Sequence, residues 1–244
     1  MNRPDELVAS VHRLAELRRA LPIAAAVLLL TSLVFPMWRI ILSAPQYPED
    51  LMVELYAYPR LRGDVAEVQL LNEYVGFYYP DPVLVNPNFP VHEHAIAVPE
   101  WSLGPLVFFA VAGASVFVAI APTERKLKLG LTCQLVGTLA IFGGMFALIQ
   151  FRLYQAGHSL DPSAPLRGVD SFTPPVFGSY EIANISGFAT FGIGGYLALS
   201  AVILVILGFL FRNSSATISD LPVIIRQGSD RITARMRPSR GGDH

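Results

Sequence analysis

The chain has 244 residues, 52% hydrophobic and only 15% charged, with a formal net charge of -1 and a mean hydropathy of +0.46. A soluble domain carries about 25% charged residues, and here the deficit falls in four nearly charge-free windows, which excludes an ordinary soluble globular class. The single cysteine, Cys133, excludes an internal disulfide and any Cys-based zinc or iron–sulfur site.

Residues 1–20 read first as an amphipathic cytoplasmic helix. Leu7, Val8, Val11, Leu14 and Leu17 fall on one face, with polar residues elsewhere, a pattern suited to lying along a membrane surface. Residues 21–38 form the first apolar span. It ends in Pro-Met-Trp-Arg and lacks a small-x-small cleavage site, so it reads as an uncleaved anchor. The remaining spans are 103–121, 129–151 and 188–211. Each window is long enough to cross a hydrocarbon core of roughly 30 Å at 1.5 Å per residue. The predicted fold class is therefore all-α: a four-transmembrane-helix bundle with two structured outer loops.

Basic residues set the orientation. Thirteen of 18 lie in the N-terminal segment, the 122–128 connection and the 212–244 tail. The positive-inside rule then places both termini in the cytoplasm and loops 39–102 and 152–187 outside an inner or plasma membrane. The tail reads as disordered beyond about residue 227, its arginines meeting anionic headgroups. The expected surroundings are the lipid bilayer and a membrane or periplasmic protein; nothing suggests nucleic acid.

The span interiors hold no Asp, Glu, His, Lys or Arg, which argues against an ion pump or proton relay and leaves no facing histidines for haem. Cys133 and Met145 are read as packing residues. Gly137, Gly143 and Gly144, with Gly187, Gly192, Gly194 and Gly195, mark close helix contacts and a surface for another membrane protein.

Loop one is patterned. Leu51, Val53, Leu55 and Ala57 alternate as in a short strand. Asp64 and Glu67 make a capping-box pattern ahead of a short helix ending at Gly76. The proline-rich stretch FYYPDPVLVNPNFP runs extended. Trp38 and Trp101 belong at the interface. His92 and His94 share a side in an extended segment. With His158 in loop two and the acids Glu73, Glu93, Glu100 and Asp161, they form the candidate donor set for copper or zinc. No nucleophile elbow, phosphate loop or dinucleotide fingerprint is present, so no catalytic residues are assigned. An enzyme acting on a lipid or quinone through Arg152, His158 and Asp161 is a distant third reading.

Three stretches carry a resemblance: PMWRIILSAPQYPEDLMVELYA, LNEYVGF, and YQAGHSLDPSAPLRGVDSFTPPVFGSYEIANISGF. They are similar to an uncharacterised family of bacterial and archaeal membrane proteins, often encoded beside nitrous-oxide reductase and copper-delivery genes. That family reads LNHYIGM where this chain has LNEYVGF, so Glu73 and Phe77 replace a His and a Met. The positions that match are Tyr47, Asn72, Tyr74, His158, Asp161 and Asn184. The resemblance implies a non-enzymatic accessory protein assisting copper-site assembly in a respiratory reductase. The alternative is a small structural subunit of a larger respiratory or oxygenase complex.

Overall fold

A computed structural model of the chain describes residues 14–81, 95–168, 170–223 and 226. It overturns the all-α expectation. Beside the helices stands a five-stranded antiparallel sheet, and it is built from both loops at once.

Helix α1 spans Leu17–Ser32 and turns through Pro36 into strand β1, Trp38–Ser43. Strands β2 (Leu51–Leu55) and β3 (Leu61–Gly63) complete a meander. Helix α2 follows at Val65–Val75. Strands β4 (Tyr79–Asp81) and β5 (Ala95–Ala97) pair in parallel. After a 3-10 turn come α3, Gly104–Ala119, and the 35-residue α4, Glu124–His158. Strands β6 (Gly178–Ile182) and β7 (Ile185–Phe191) form a hairpin, and β7 runs straight into α5, Ile193–Leu210. The sheet order is β3-β2-β1-β7-β6.

Three helices among the described residues are long and apolar enough to cross a membrane: Pro99–Ala119, Glu124–His158 and Ile193–Asn213. The first window expected as a span instead divides. Its helix has 16 residues and ends at Ser32, and Trp38 already belongs to the sheet. The fourth window divides in the same way, because Phe188–Phe191 is strand and the helix starts only at Ile193. A hydropathy window cannot separate a lipid-embedded helix from an apolar strand that continues it.

The bundle core is a trio with α4 on its flank. Ala25, Ala26 and Leu29 of α1, Phe108, Val111 and Ala112 of α3, and Ala198, Ala201 and Val205 of α5 are buried together, with Phe142 and Met145 of α4 packed alongside. Cys133, expected to pack, is exposed. Helices α1 and α5 meet tightly where α1 ends and α5 begins. Gly194 leaves room for no Cβ, since one would fall 2.6 Å from the Ser32 carbonyl oxygen. The same junction satisfies the opening N–H groups of α5: Gly192 donates to Met37 O and Gly194 to Pro36 O, both at 2.9 Å. A helix start with no side-chain cap needs such partners. Gly192, Gly194 and Gly195 thus match the close-contact expectation. A Cβ built on Gly137, Gly143 or Gly144 meets nothing within 4 Å, so those glycines make no close contact inside the chain.

The strand pair β1–β7 continues the helix pair α1–α5, which is why two loops far apart in sequence become one head. Strand alternation gives the sheet two unlike faces. Leu42, Leu51, Val53 and Ile185 point to the covered face, where Val68, Leu71 and Val75 of α2 close a small core. The predicted helix is present and ends on Gly76 in the left-handed conformation at φ 86, as its lack of a Cβ permits. Its predicted capping box is absent. Asp64 accepts from the Met52 backbone N–H at 2.8 Å instead, tying the helix start to β2.

Candidate functional site

Three arrangements bring polar chemistry together: the head, the seam between head and bundle, and the far end of the bundle.

In the head, the stretches LNEYVGF and GHSLDP meet. Asp161 N–H donates to Gly76 O at 2.9 Å and Leu166 N–H to Tyr74 O at 3.0 Å. Phe77 lies against Phe172 with ring centroids 5.8 Å apart. These are contacts of backbone and apolar rings, so the segment after α4 is docked on the end of α2 by packing. Tyr47 N–H closes the β1–β2 turn on Ala44 O, and Asn72 O accepts the Gly76 and Phe77 N–H groups that end α2. Asn184 sits in the two-residue turn of the β6–β7 hairpin, beside Ala183 at φ 53. Most positions carried by the resemblance therefore build the head.

The expected donor set does not assemble among the described residues, where no group of three His, Cys, Asp or Glu could hold a metal ion. His92, His94 and Glu93 lie outside those residues. Glu73 accepts from Gln69 Nε2 at 3.2 Å. Glu100 is held by the Arg152 guanidinium in a two-pronged pair at 2.5 and 3.1 Å, a geometry that fixes both partners. Arg152 is thereby also committed, as it additionally donates to Gln155. Asp161 accepts from the Ser163 N–H and hydroxyl through one oxygen. His158 is exposed, stacks on Tyr154 at 3.9 Å, and has Nδ1 2.9 Å from Tyr154 O. A carbonyl only accepts, so Nδ1 is the donor in this contact. Backbone-carbonyl support of one nitrogen is the arrangement that orients a ligating imidazole, but here it stands without two further donors.

At the seam, Gln150 clamps the chain that leads into β6. Its Nε2 donates to Pro174 O at 3.3 Å and its Oε1 accepts from Val176 N–H at 3.2 Å. Trp101 Nε1 donates to Tyr56 O at 2.9 Å. Trp38 lies between Phe146 and Phe191, at 6.3 and 4.9 Å. Both tryptophans thus tie the head to the helices, a role that fits their expected interfacial place.

At the far end, Arg18 and Arg19 are buried, a position that sequence reasoning used only as an orientation signal. Arg18 donates to Glu16 at 2.7 Å and Glu124 at 3.0 Å. Arg19 Nη1 donates to the carbonyls of Ala119 and Ala121, at 2.6 and 2.9 Å, capping the negative end of α3. The Arg18 bond holds the Glu16 carboxyl below its usual range. The chain after α5 returns here, with Ile218 N–H on Ala15 O and Leu17 N–H on Ala216 O. Inside the bundle, Gln134 Nε2 donates to Ser115 Oγ, and the Ser115 hydroxyl donates to Val111 O at 2.9 Å.

No protein-family model and no curated protein matches the chain.

Proposed function

We propose that this chain is a non-enzymatic membrane accessory protein that presents its head to a protein partner on the outer side of an inner or plasma membrane. The observation that carries the reading is the fusion of both loops into one sheet, mounted on apolar helices whose central parts bear no ionisable group. Such helices serve as a platform, and recognition falls to the head.

Charge supports the side assigned to the head. Arg18, Arg19, Arg125, Lys126, Lys128 and Arg212 gather at the opposite end. Residues 39–102 hold nine carboxylates against three arginines, and residues 152–191 hold three against two. The positive-inside rule puts the basic end in the cytoplasm. The test uses a Cys133→Ser background with Glu181→Cys in the head or Ser219→Cys at the basic end. A membrane-impermeant maleimide should label intact cells only through position 181. Labelling at 219 alone would reverse the orientation.

The metal part of the reading places copper on His158 together with His92 and His94, imidazole being a suitable donor. Copper-replete protein should carry metal that His92→Ala and His158→Ala lose. Wild-type protein free of copper would remove the metal and leave the accessory role.

A second reading, a structural subunit of a larger membrane complex, draws on α4. Its Gly137, Gly143 and Gly144 have open space where a Cβ would stand, and only 11% of its apolar window is buried inside the chain. Co-purification of one stoichiometric membrane protein, lost on Gly144→Leu, would favour it over the first.

A further inference from the structure

The sheet has a second face that no helix among the described residues covers. Across its middle the register aligns Met52 with Ile41 and Ile41 with Phe188. Opposite residues of an antiparallel sheet share a face, so these three form one apolar row. Met52 is 37% exposed and Phe188 44%. On β6 the row ends at Ser179, opposite Phe188, and Phe177, 54% exposed, stands just before that strand with its ring 6.5 Å from Phe188 and 5.7 Å from Phe191.

The rows on either side are polar. Nearer the bundle, Arg39 pairs with Glu54 at 2.8 Å and stands opposite Thr190, and the exposed Arg62 of β3 stands opposite Glu54, so this row carries two arginines and one carboxylate. Away from the bundle, Ser43 stands opposite Ser186, and Ser186 opposite Glu181. Asp50 immediately precedes β2 at this same edge of the sheet. Asp50 and Glu181 are exposed, and among the described residues neither has an ion-pair partner. An apolar strip inside a polar rim is the anatomy of a protein–protein contact.

Three occupants compete for the strip. Lipid is disfavoured because the ion-paired Arg39–Glu54 row separates it from the apolar helices. A second copy in the same membrane, docked by a two-fold axis along the membrane normal, would set the Asp50–Glu181 edge against itself, a like-charge contact that costs affinity. A protein with an apolar ridge and a basic flank on the side away from the bundle satisfies the apolar row and the Asp50–Glu181 edge, while Arg39 and Arg62 stay at the opposite edge. We infer that the open face formed by Met52, Ile41 and Phe188, with Asp50 and Glu181 at its rim, is the docking surface for such a basic protein partner. This rests on the accessory reading above and names its surface.

The experiment places a photo-crosslinking benzoylphenylalanine at Met52, at Phe188, or at the control Leu70, an exposed residue of α2, in the full chain in native membranes. Illumination should join Met52 and Phe188 to one protein at least about tenfold more than Leu70. Paired Asp50→Lys and Glu181→Lys should cut that adduct by about tenfold, the worth of a complementary charge pair, and mass spectrometry should find the crosslinked peptide beside Lys or Arg. Unchanged thermal unfolding of the Lys variants keeps the loss specific. Adducts as strong at Leu70, or only with a differently tagged second copy, would overturn this surface while leaving a head that binds partners. Adducts with lipid alone at every head position would overturn the surface and the accessory reading together.

Discussion

The bundle turns apolar residues outward as well as inward, whereas the head keeps most of its own inside. In the bundle, Phe109, Phe117, Leu139 and Ile203 face outward, while small or polar groups such as Ala25, Ser32, Ser115 and Gln134 are buried. In the head, the aliphatic residues of β1, β2 and β7 turn inward against α2. The two regions follow the rules of two solvents. Lipid offers no penalty to an exposed Phe, so helices there gain by close approach of small residues. Water penalises it, so the sheet buries one face and shows polar rows on the other. The apolar row of the open face breaks the second rule, which is what marks it as an interaction surface.

The largest test of this division strikes the junction where both regions share a support. Gly194→Val places side-chain atoms against the carbonyl oxygens of Ser32 and Phe35, 2.6 and 2.7 Å from the Cβ. Overpacking against backbone costs about 3 kcal/mol or more. Thermal unfolding in mild detergent should show the helical signal and tryptophan fluorescence falling together at a lower temperature. Retention of the wild-type midpoint would mean that helix and strand pairs are not continuous.

A smaller substitution separates the regions. Gly187 faces Tyr180 across the β6–β7 ladder, and a Cβ there would fall 2.3 Å from the ring. Burial already pushes the Tyr180 phenol up to about 12, so the ring stays neutral and packed. Gly187→Ala should destabilise the head by about 2 kcal/mol. Near-ultraviolet circular dichroism should then melt before the helical signal at 222 nm; simultaneous loss would show a single cooperative unit.

The hairpin turn offers a gain. Ala183 holds φ 53, a region where an L side chain is strained. Ala183→Gly should stabilise the head by about 0.5 kcal/mol, offset in part by added freedom of the unfolded chain. Limited proteolysis of the head should slow, and faster cleavage would refute the strained turn.

The smallest effect lies at the far end and depends on pH. Because Arg18 depresses the Glu16 carboxyl below its ordinary 4.5, the folded state holds the charged form more strongly than the unfolded chain does. That stability is complete above pH 4.5 and disappears as pH falls through the lowered value. Glu16→Gln should remove this acid-side slope, changing stability by less than about 1 kcal/mol, while head unfolding keeps its pH profile.

Much of the chain was legible before the fold. The apolar windows follow from composition, because a surface helix of a soluble domain carries charge on its outer face. Helix α2 was legible from Val65, Val68, Leu71 and Gly76, and strand β2 from the alternation at Leu51 and Val53. These signals are local. The β1–β7 pairing joins residues 38–43 to 186–191, and nothing local in WRIILS or ISGFATF says that they are partners. Both look like the ends of spans because both are apolar and continue helices. The fork between Glu100 and Arg152 and the burial of Arg18 and Arg19 were hidden for the same reason, since each depends on partners many residues away.

The sequence by itself determined which segments avoid water, where basic residues gather, and that loop one holds a strand starting at Leu51, though it ends at Leu55 and short of the expected Ala57, and a helix ending at Gly76. Tertiary structure alone decided that two loops form one sheet, that the motif stretches meet by backbone contact, and which apolar residues of that sheet are left uncovered. Solvent preference is a property of each residue, whereas register is a property of pairs, and only the closed β1–β7 ladder fixes which side of the head Met52, Ile41 and Phe188 present.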